Sequence, residues 1–279
     1  MRHPFLLLFL PLLACQPPSP AGAVPDADVP DLIKMTAGKT SVAIDPRYGA
    51  RIVSFAYEGR EMLQTERDPA GLTFGSTAWP SPQSDWGWPP PVAMDSGPYS
   101  VRQLRDNAWI MEARRDSASL LTMSKRFILT EEGKLNVTYY LKNDSGMSKR
   151  VAAWENTRLP YGGRIEFVGD SVRVSKEVDA LEWRDSTATI TFDRRFQEPL
   201  KVFASLKDTL SRYYHPNGLV LNKQHMVTEL WQTAPEQAPL EVYWDPVKRF
   251  VEYELQGTYY TLADGQSATL RTLWFVTED

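Results

Sequence analysis

The sequence predicts an all-β protein, built as two large packed sheets or a closed barrel. After Thr40, stretch after stretch alternates apolar and polar residues with the period of two that half-buried strands require. Turn pairs punctuate these stretches: Glu58-Gly59, Glu132-Gly133, Asn143-Asp144, Asn217-Gly218 and Asp264-Gly265. No segment carries a long apolar stripe at helical spacing, and the best short helical candidate, residues 206–214, is about two turns.

In chain order, "MRHPFLLLFLPLLAC" has a basic start, an apolar run over residues 5–13 and a single cysteine, Cys15. It reads as a secretory leader, too short to span a bilayer. Leu12-Leu13-Ala14-Cys15 also resembles the lipobox of bacterial lipoproteins, which implies cleavage before Cys15 and lipid on its thiol; the alternative is an ordinary leader with a coincidental cysteine. Gln16 in place of Asp implies, in a Gram-negative cell, sorting to the outer membrane. The expected organisation is a signal peptide over 1–14, a lipidated Pro-rich tether over 15–31 and one β domain over 32–279. Membrane contact is expected through the lipid alone, because no later apolar run is long enough to span. With no second cysteine, the domain rests on burial rather than disulfides. Lys and Arg number 31 against 35 Asp and Glu, without a basic block, which argues against a nucleic-acid partner.

The strands begin with "SVAIDPRYGARIVSFAYEGREML", two alternating runs with a turn at Pro46 to Gly49, and continue through "WIMEARR", "LTMSKRFILT", "LNVTYYLKN", "IEFVGDSVRV", "ALEWRD", "ATITFD", "KVFASLK", "GLVLNK", "HMVTELWQ", "LEVYWDP", "RFVEYEL" and "ATLRTLWFV". Two segments break the monotony. "FGSTAWPSPQSDWGWPPP", residues 74–91, holds three tryptophans and five prolines with Asp85 as its one charge. Proline lacks the ladder donor, so the segment reads as a rigid loop rather than a core strand. Its Trp79, Trp86 and Trp88 either cap an open end of the fold or line a cleft in which indoles meet the C–H faces of sugars, and a mixture of the two is expected. In "AWENTRLP", Trp154, Asn156 and Arg158 share one face of a strand and Glu155 and Thr157 the other. An aromatic plate, an amide and a guanidinium can hold a sugar and its hydroxyls or an acidic substituent; equally, Trp154 can enter the core and Arg158 a structural ion pair.

Three places resemble the galactose mutarotase (aldose 1-epimerase) superfamily of large two-sheet β-sandwiches: the hairpin "YGARIVSFAYEGREML", the ending "FVEYELQGTYYTLADGQSATLRTLWFV", and the pair "STAWPSPQSDWGWPPP" and "VAAWENTRLP", which is similar to a bacterial branch with Trp-Pro segments at these places. The resemblance implies a β-supersandwich, a sugar ligand, the Trp-Pro loop near the sugar cleft, and a strand glutamate as general base. Glu254 matches that base best. Glu252 lies two residues away on the same face, and either fits. Two carboxylates on one face repel, which raises one pKa toward neutrality; a half-exposed strand with two solvated glutamates is the plainer reading.

The chain departs from the superfamily enzymes in its acid. Only His215, in the turn "RYYHPNG", and His225, opening the strand "HMVTELWQ", follow the leader, and neither stands in a matching motif. Arg158 is the remaining electrophilic candidate. No metal site or cofactor is expected, since there is no His/Cys cluster and no calcium-loop spacing. A G-x-S-x-G nucleophile is absent. Asp245 with Glu254 would be the pair for glycoside hydrolysis. The expectations are therefore a lipid-anchored, epimerase-like carbohydrate-binding protein of the cell envelope, at the outer membrane and facing the periplasm or the surface, or a non-catalytic envelope glycan-binding module on the same fold.

Overall fold

The alternating runs become strands almost everywhere. The computed structural model describes residues 30–67, 73–175, 181–192, 198–226 and 229–279. The expected signal peptide (1–14), Cys15 and all of the tether (15–31) but residues 30 and 31 lie outside them.

An eleven-stranded sheet runs, in spatial order, through Ile33–Ala37, Thr40–Asp45, Arg51–Tyr57, Ser76–Ser81, Lys149–Pro160, Phe250–Gln256, Leu240–Asp245, Leu200–Ala204 and Val172–Val174. Arg60–Glu61 adds to Arg51–Tyr57, and Tyr260–Leu262 adds to Lys149–Pro160. The ten-stranded second sheet runs through Leu181–Arg184, Thr187–Thr191, Arg164–Val168, Leu210–Tyr214, Leu219–His225, Ser267–Glu278, Leu135–Asn143, Leu121–Leu129, Ala108–Ala113 and Tyr99–Arg105. Neighbouring strands are antiparallel, so the fold is a two-sheet β-sandwich.

The inward residues of the two sheets make one core, with Val151, Leu159, Val242, Trp244, Val251 and Leu255 on one side and Val137, Leu141, Leu221, Leu270 and Trp274 on the other. Each such side chain contributes about 1.5–3 kcal/mol by leaving water. The core also holds a charge pair. Glu155 and Lys223 meet with both side chains fully buried. Thr272 donates to Glu155 Oε2 at 2.8 Å, and Lys223 Nζ donates to Thr157 Oγ1 at 2.9 Å. Glu155 and Thr157 thus point between the sheets, which turns Trp154, Asn156 and Arg158 to the opposite face.

Three expectations need correction. Residues 206–214 form no helix: Leu210–Tyr214 is a strand between Arg164–Val168 and Leu219–His225, and its burial alternates with Ser211 and Tyr213 inward. "HMVTELWQ" is not a strand among its described residues. His225 ends the strand before it, and Trp231 is 78 % exposed.

The Trp-Pro segment is only partly a loop. Ser76–Ser81, Pro80 included, is a sheet strand paired with Lys149–Pro160. Ala153, opposite Pro80, offers its carbonyl to Gly257 on its other side, so Pro80 sits at a non-hydrogen-bonded position and its missing donor would face away from the partner strand. The far edge there is open, since Arg51–Tyr57 pairs with this strand only at Ile52↔Ser76. Trp86 Nε1 takes the Pro80 carbonyl at 2.8 Å. Beyond Ser81 the chain makes short helical turns at Gln83–Asp85 and Val92–Asp95.

Candidate functional site

The face of the eleven-stranded sheet turned away from the core gathers most of the chemistry. Strand register sets it in rows: Trp79 beside Trp154 and Gln256; Thr77 beside Asn156, Glu254 and Glu241; Arg158 beside Glu252, Tyr243 and Lys201. Trp154, Asn156, Arg158, Glu252 and Glu254, predicted from the sequence, therefore stand together, and Glu252 and Glu254 do share a face.

Glu254 is completely buried. Its Oε2 accepts from Trp154 Nε1 at 2.9 Å, and Lys201 Nζ reaches Oε2 at 2.9 Å and Oε1 at 3.2 Å. Lys201 also holds Glu241 at 2.7 Å, so one ammonium lies between two buried carboxylates directly opposite each other in the register. Burial pushes Glu254 up to about 8, Lys201 opposes this, and Glu241 and Glu252 add to it. Burial alone would lower Lys201; Glu254 and Glu241 outweigh it and hold the ammonium charged.

Arg158 lies beside this cluster. Its Nε donates to Glu252 Oε1 at 2.9 Å and its guanidinium sits 4.8 Å from the Trp79 ring centre. It is therefore in an ion pair, as the plainer reading had it, but only by one nitrogen. Both Nη atoms, and both side-chain polar atoms of Asn156, are buried without a hydrogen-bond partner. Buried polar groups are normally satisfied, and an unpaired guanidinium edge is among the costlier exceptions.

The tryptophans differ in burial. Trp79 packs down at 2 % exposure, donates from Nε1 to Asp95 Oδ1 at 2.8 Å and meets the Trp154 ring edge-on at 5.2 Å. Asp95 in turn holds Arg51 at 2.8 Å. Trp86 is half-buried, 5.9 Å from Trp79 and 6.4 Å from Trp154. Trp88 stands on Trp79 at 6.1 Å but is 57 % exposed. The four indoles make one aromatic wall whose inner members touch the charged cluster and whose outer member meets solvent.

The remaining candidates lie elsewhere. Asp245 Oδ1 accepts the backbone N–H groups of Val247 and Lys248, which fixes the turn after its strand. It sits four residues along from Glu241, the partner of Glu254, or about 13 Å at strand rise, beyond the spacing of either glycosidase class. The Asp245–Glu254 pair is therefore withdrawn. His215 Nδ1 accepts from Asn217 N at 2.9 Å in its turn, and burial lowers its pKa. It lines a cavity of about 490 Å³ with Glu61, Glu66, Lys248 and Arg249. His225 is fully buried in the second sheet and driven down to about 3, by burial first and then by Lys223, so it is neutral at physiological pH. Among the described residues no group of three His, Cys, Asp or Glu is placed to hold a metal ion, and no helix is long and apolar enough to cross a membrane.

Sequence reasoning missed Lys201, Glu241, Asp95 and Arg51. The first two had a signal, as the polar members of alternating strands in "KVFASLK" and "LEVYWDP". Nothing local marked Asp95 or Arg51.

No protein-family model matches the chain, and a search of curated proteins found none similar. Solved structures are similar in fold. A candidate aldose 1-epimerase of Escherichia coli K12 superposes with a TM-score of 0.65 at 13% identity, over 89% of this chain and 99% of its own. A galactose mutarotase-like protein of Lactobacillus casei gives 0.62 at 14% identity, over 88% and 100%. Another from Clostridium acetobutylicum gives 0.61 at 11% identity, over 89% and 95%. The chain thus has the galactose mutarotase-like β-sandwich fold, as the sequence motifs implied.

Proposed function

We propose that this chain is a carbohydrate-binding protein whose site is the wall of Trp79, Trp86, Trp88 and Trp154 with the polar floor of Asn156, Arg158, Glu252 and Glu254. The observation that carries the reading is the unpaired, buried polar set of Asn156 and Arg158, with the Arg158 guanidinium over the Trp79 ring. Indole faces suit the C–H faces of a sugar, and an amide with a guanidinium edge suits its oxygens. The likeness to mutarotase-like proteins supports a sugar as ligand. Isothermal calorimetry of residues 32–279 against monosaccharides and envelope oligosaccharides tests it. Binding that weakens about tenfold in Trp88→Ala, whose ring is exposed enough to leave folding intact, is the expected result; no binding to any sugar overturns it.

Epimerase-type catalysis is a second reading, favoured by Glu254. A carboxyl group near 8 exchanges a proton with an anomeric hydroxyl more readily than an ordinary glutamate, and Arg158 would steady charge on the ring oxygen. Against it stand the burial of Glu254, its two partners, and the lack of a histidine in the cluster. Polarimetry on each bound sugar decides: acceleration that rises with pH through about 8 and vanishes in Glu254→Gln establishes an enzyme, and binding without acceleration establishes a glycan-binding module.

Lipid anchoring at Cys15, with the domain facing the periplasm or cell surface, belongs to the same proposal. It rests on the leader motif and is tested by metabolic labelling with a fatty acid, lost in Cys15→Ser.

A further inference from the structure

We infer that the sugar this site prefers is acidic, a uronic acid or a glycan bearing one, with its carboxylate held by the free edge of Arg158. This rests on the carbohydrate reading above and names its ligand class. Arg158 spends one nitrogen on Glu252 and sets its guanidinium carbon 4.8 Å from the Trp79 ring centre. The two Nη groups that remain are the parallel donors that match a carboxylate bidentately. A neutral hydroxyl satisfies one such donor at a time and leaves the other buried, so the fork discriminates by chemistry as well as by charge.

The charge around Arg158 is divided. Glu252, Glu254 and Glu241 with Lys201 lie along its strand neighbours, three carboxyl groups to one ammonium. Arg51, completely buried, is close enough to Arg158 for their like charges to oppose each other, and it is matched by Asp95. Lys125 lies in the same buried group, bound to the Gly49 carbonyl and Thr77 Oγ1 rather than to a carboxylate. Thr77 stands opposite Asn156 in the register, and Glu254 stands opposite Asn156 on its other side. The competitor for the guanidinium is Glu252, whose side chain is 13 % exposed and is the part of the ion pair that solvent reaches.

The test is calorimetry on residues 32–279 with D-galacturonate and D-glucuronate, each against its neutral hexose and its methyl ester, in wild type, Glu252→Gln and Arg158→Gln. At least tenfold tighter binding of the uronates is expected. Glu252→Gln, which keeps the shape and removes the competing charge, should widen the preference, and Arg158→Gln should abolish it. Near-ultraviolet circular dichroism of the tryptophan cluster shows whether each variant is folded, and the wild-type and Glu252→Gln comparison stands even if Arg158→Gln is not. Neutral hexoses binding as tightly as uronates, or a preference that Glu252→Gln narrows, would overturn the inference while leaving the carbohydrate reading intact. No binding by either kind of sugar would overturn both.

Discussion

Replacing Lys201 with methionine removes the one ammonium shared by Glu241 and Glu254, which it holds at 2.7 and 2.9 Å. The two carboxylates are fully buried and directly opposite each other on adjacent strands, a separation at which two unneutralised charges out of water cannot both persist. Burial already pushes Glu254 up to about 8, so the wild-type cluster carries one neutral acid at pH 7. Without Lys201 one further carboxylate must be carried protonated. At pH 7 that means holding a proton about 2.5 pH units above the ordinary glutamate value, at about 1.4 kcal/mol per unit, or about 3.5 kcal/mol in all. A proton held only in the folded state gives stability that is complete below the unfolded pKa and lost as pH rises, so the deficit should shrink to less than about 1 kcal/mol at pH 5. Urea unfolding of wild type and Lys201→Met at both pH values measures this, and the double variant Lys201→Met/Glu241→Gln should recover most of the loss at pH 7. A deficit independent of pH, or one that Glu241→Gln fails to relieve, would refute the account of the cluster as a charge balance and make Lys201 a packing residue.

Glu254→Gln should flatten the pH dependence of stability: because the folded value of about 8 lies above the ordinary 4.5, wild type should lose up to about 1.4 kcal/mol per pH unit between them as pH rises, and the variant should not. Chemical denaturation across that window checks the slope. Lys223→Met strands Glu155 between the sheets and should cost about 3–5 kcal/mol at pH 7, while Glu155→Leu/Lys223→Met restores most of it; urea midpoints for the two variants decide. Gly49→Ala should cost more than about 2 kcal/mol, since its φ is +72° and a Cβ there would lie 1.9 Å from the Asp95 carbonyl oxygen. That clash moves the residue that holds Trp79, so sugar affinity should fall together with stability, as thermal melts and calorimetry on one preparation would show.

What was legible in the sequence was local. Period-two alternation and turn pairs marked nearly every strand, and the same alternation correctly set Trp154, Asn156 and Arg158 opposite Glu155 and Thr157. What was not legible depends on neighbours distant in the chain. Pro80 argued against a strand because a central strand needs its donor, but the donor's direction and the openness of that edge are set by Ala153 and by where Arg51–Tyr57 stops pairing. Lys201 and Glu241 were visible as polar members of alternating strands, yet only the register among three strands reveals that they neutralise Glu254.

The two faces of Lys149–Pro160 show why that distinction matters for function. Glu155 and Arg158 are equally buried, three residues apart, and nothing in "AWENTRLP" says which is structural. On the inner face, Glu155 finds Lys223 and Thr272 across the sandwich. On the outer face, Asn156 finds no partner and Arg158 only one, although the fold has brought four indoles around them. A buried ion pair that is fully matched is adequately explained by the fold it sits in. Polar edges left unmatched beside an aromatic wall whose outer member meets solvent are costly to folding alone, and a ligand with oxygens to offer is the one addition that would account for both the wall and the edges.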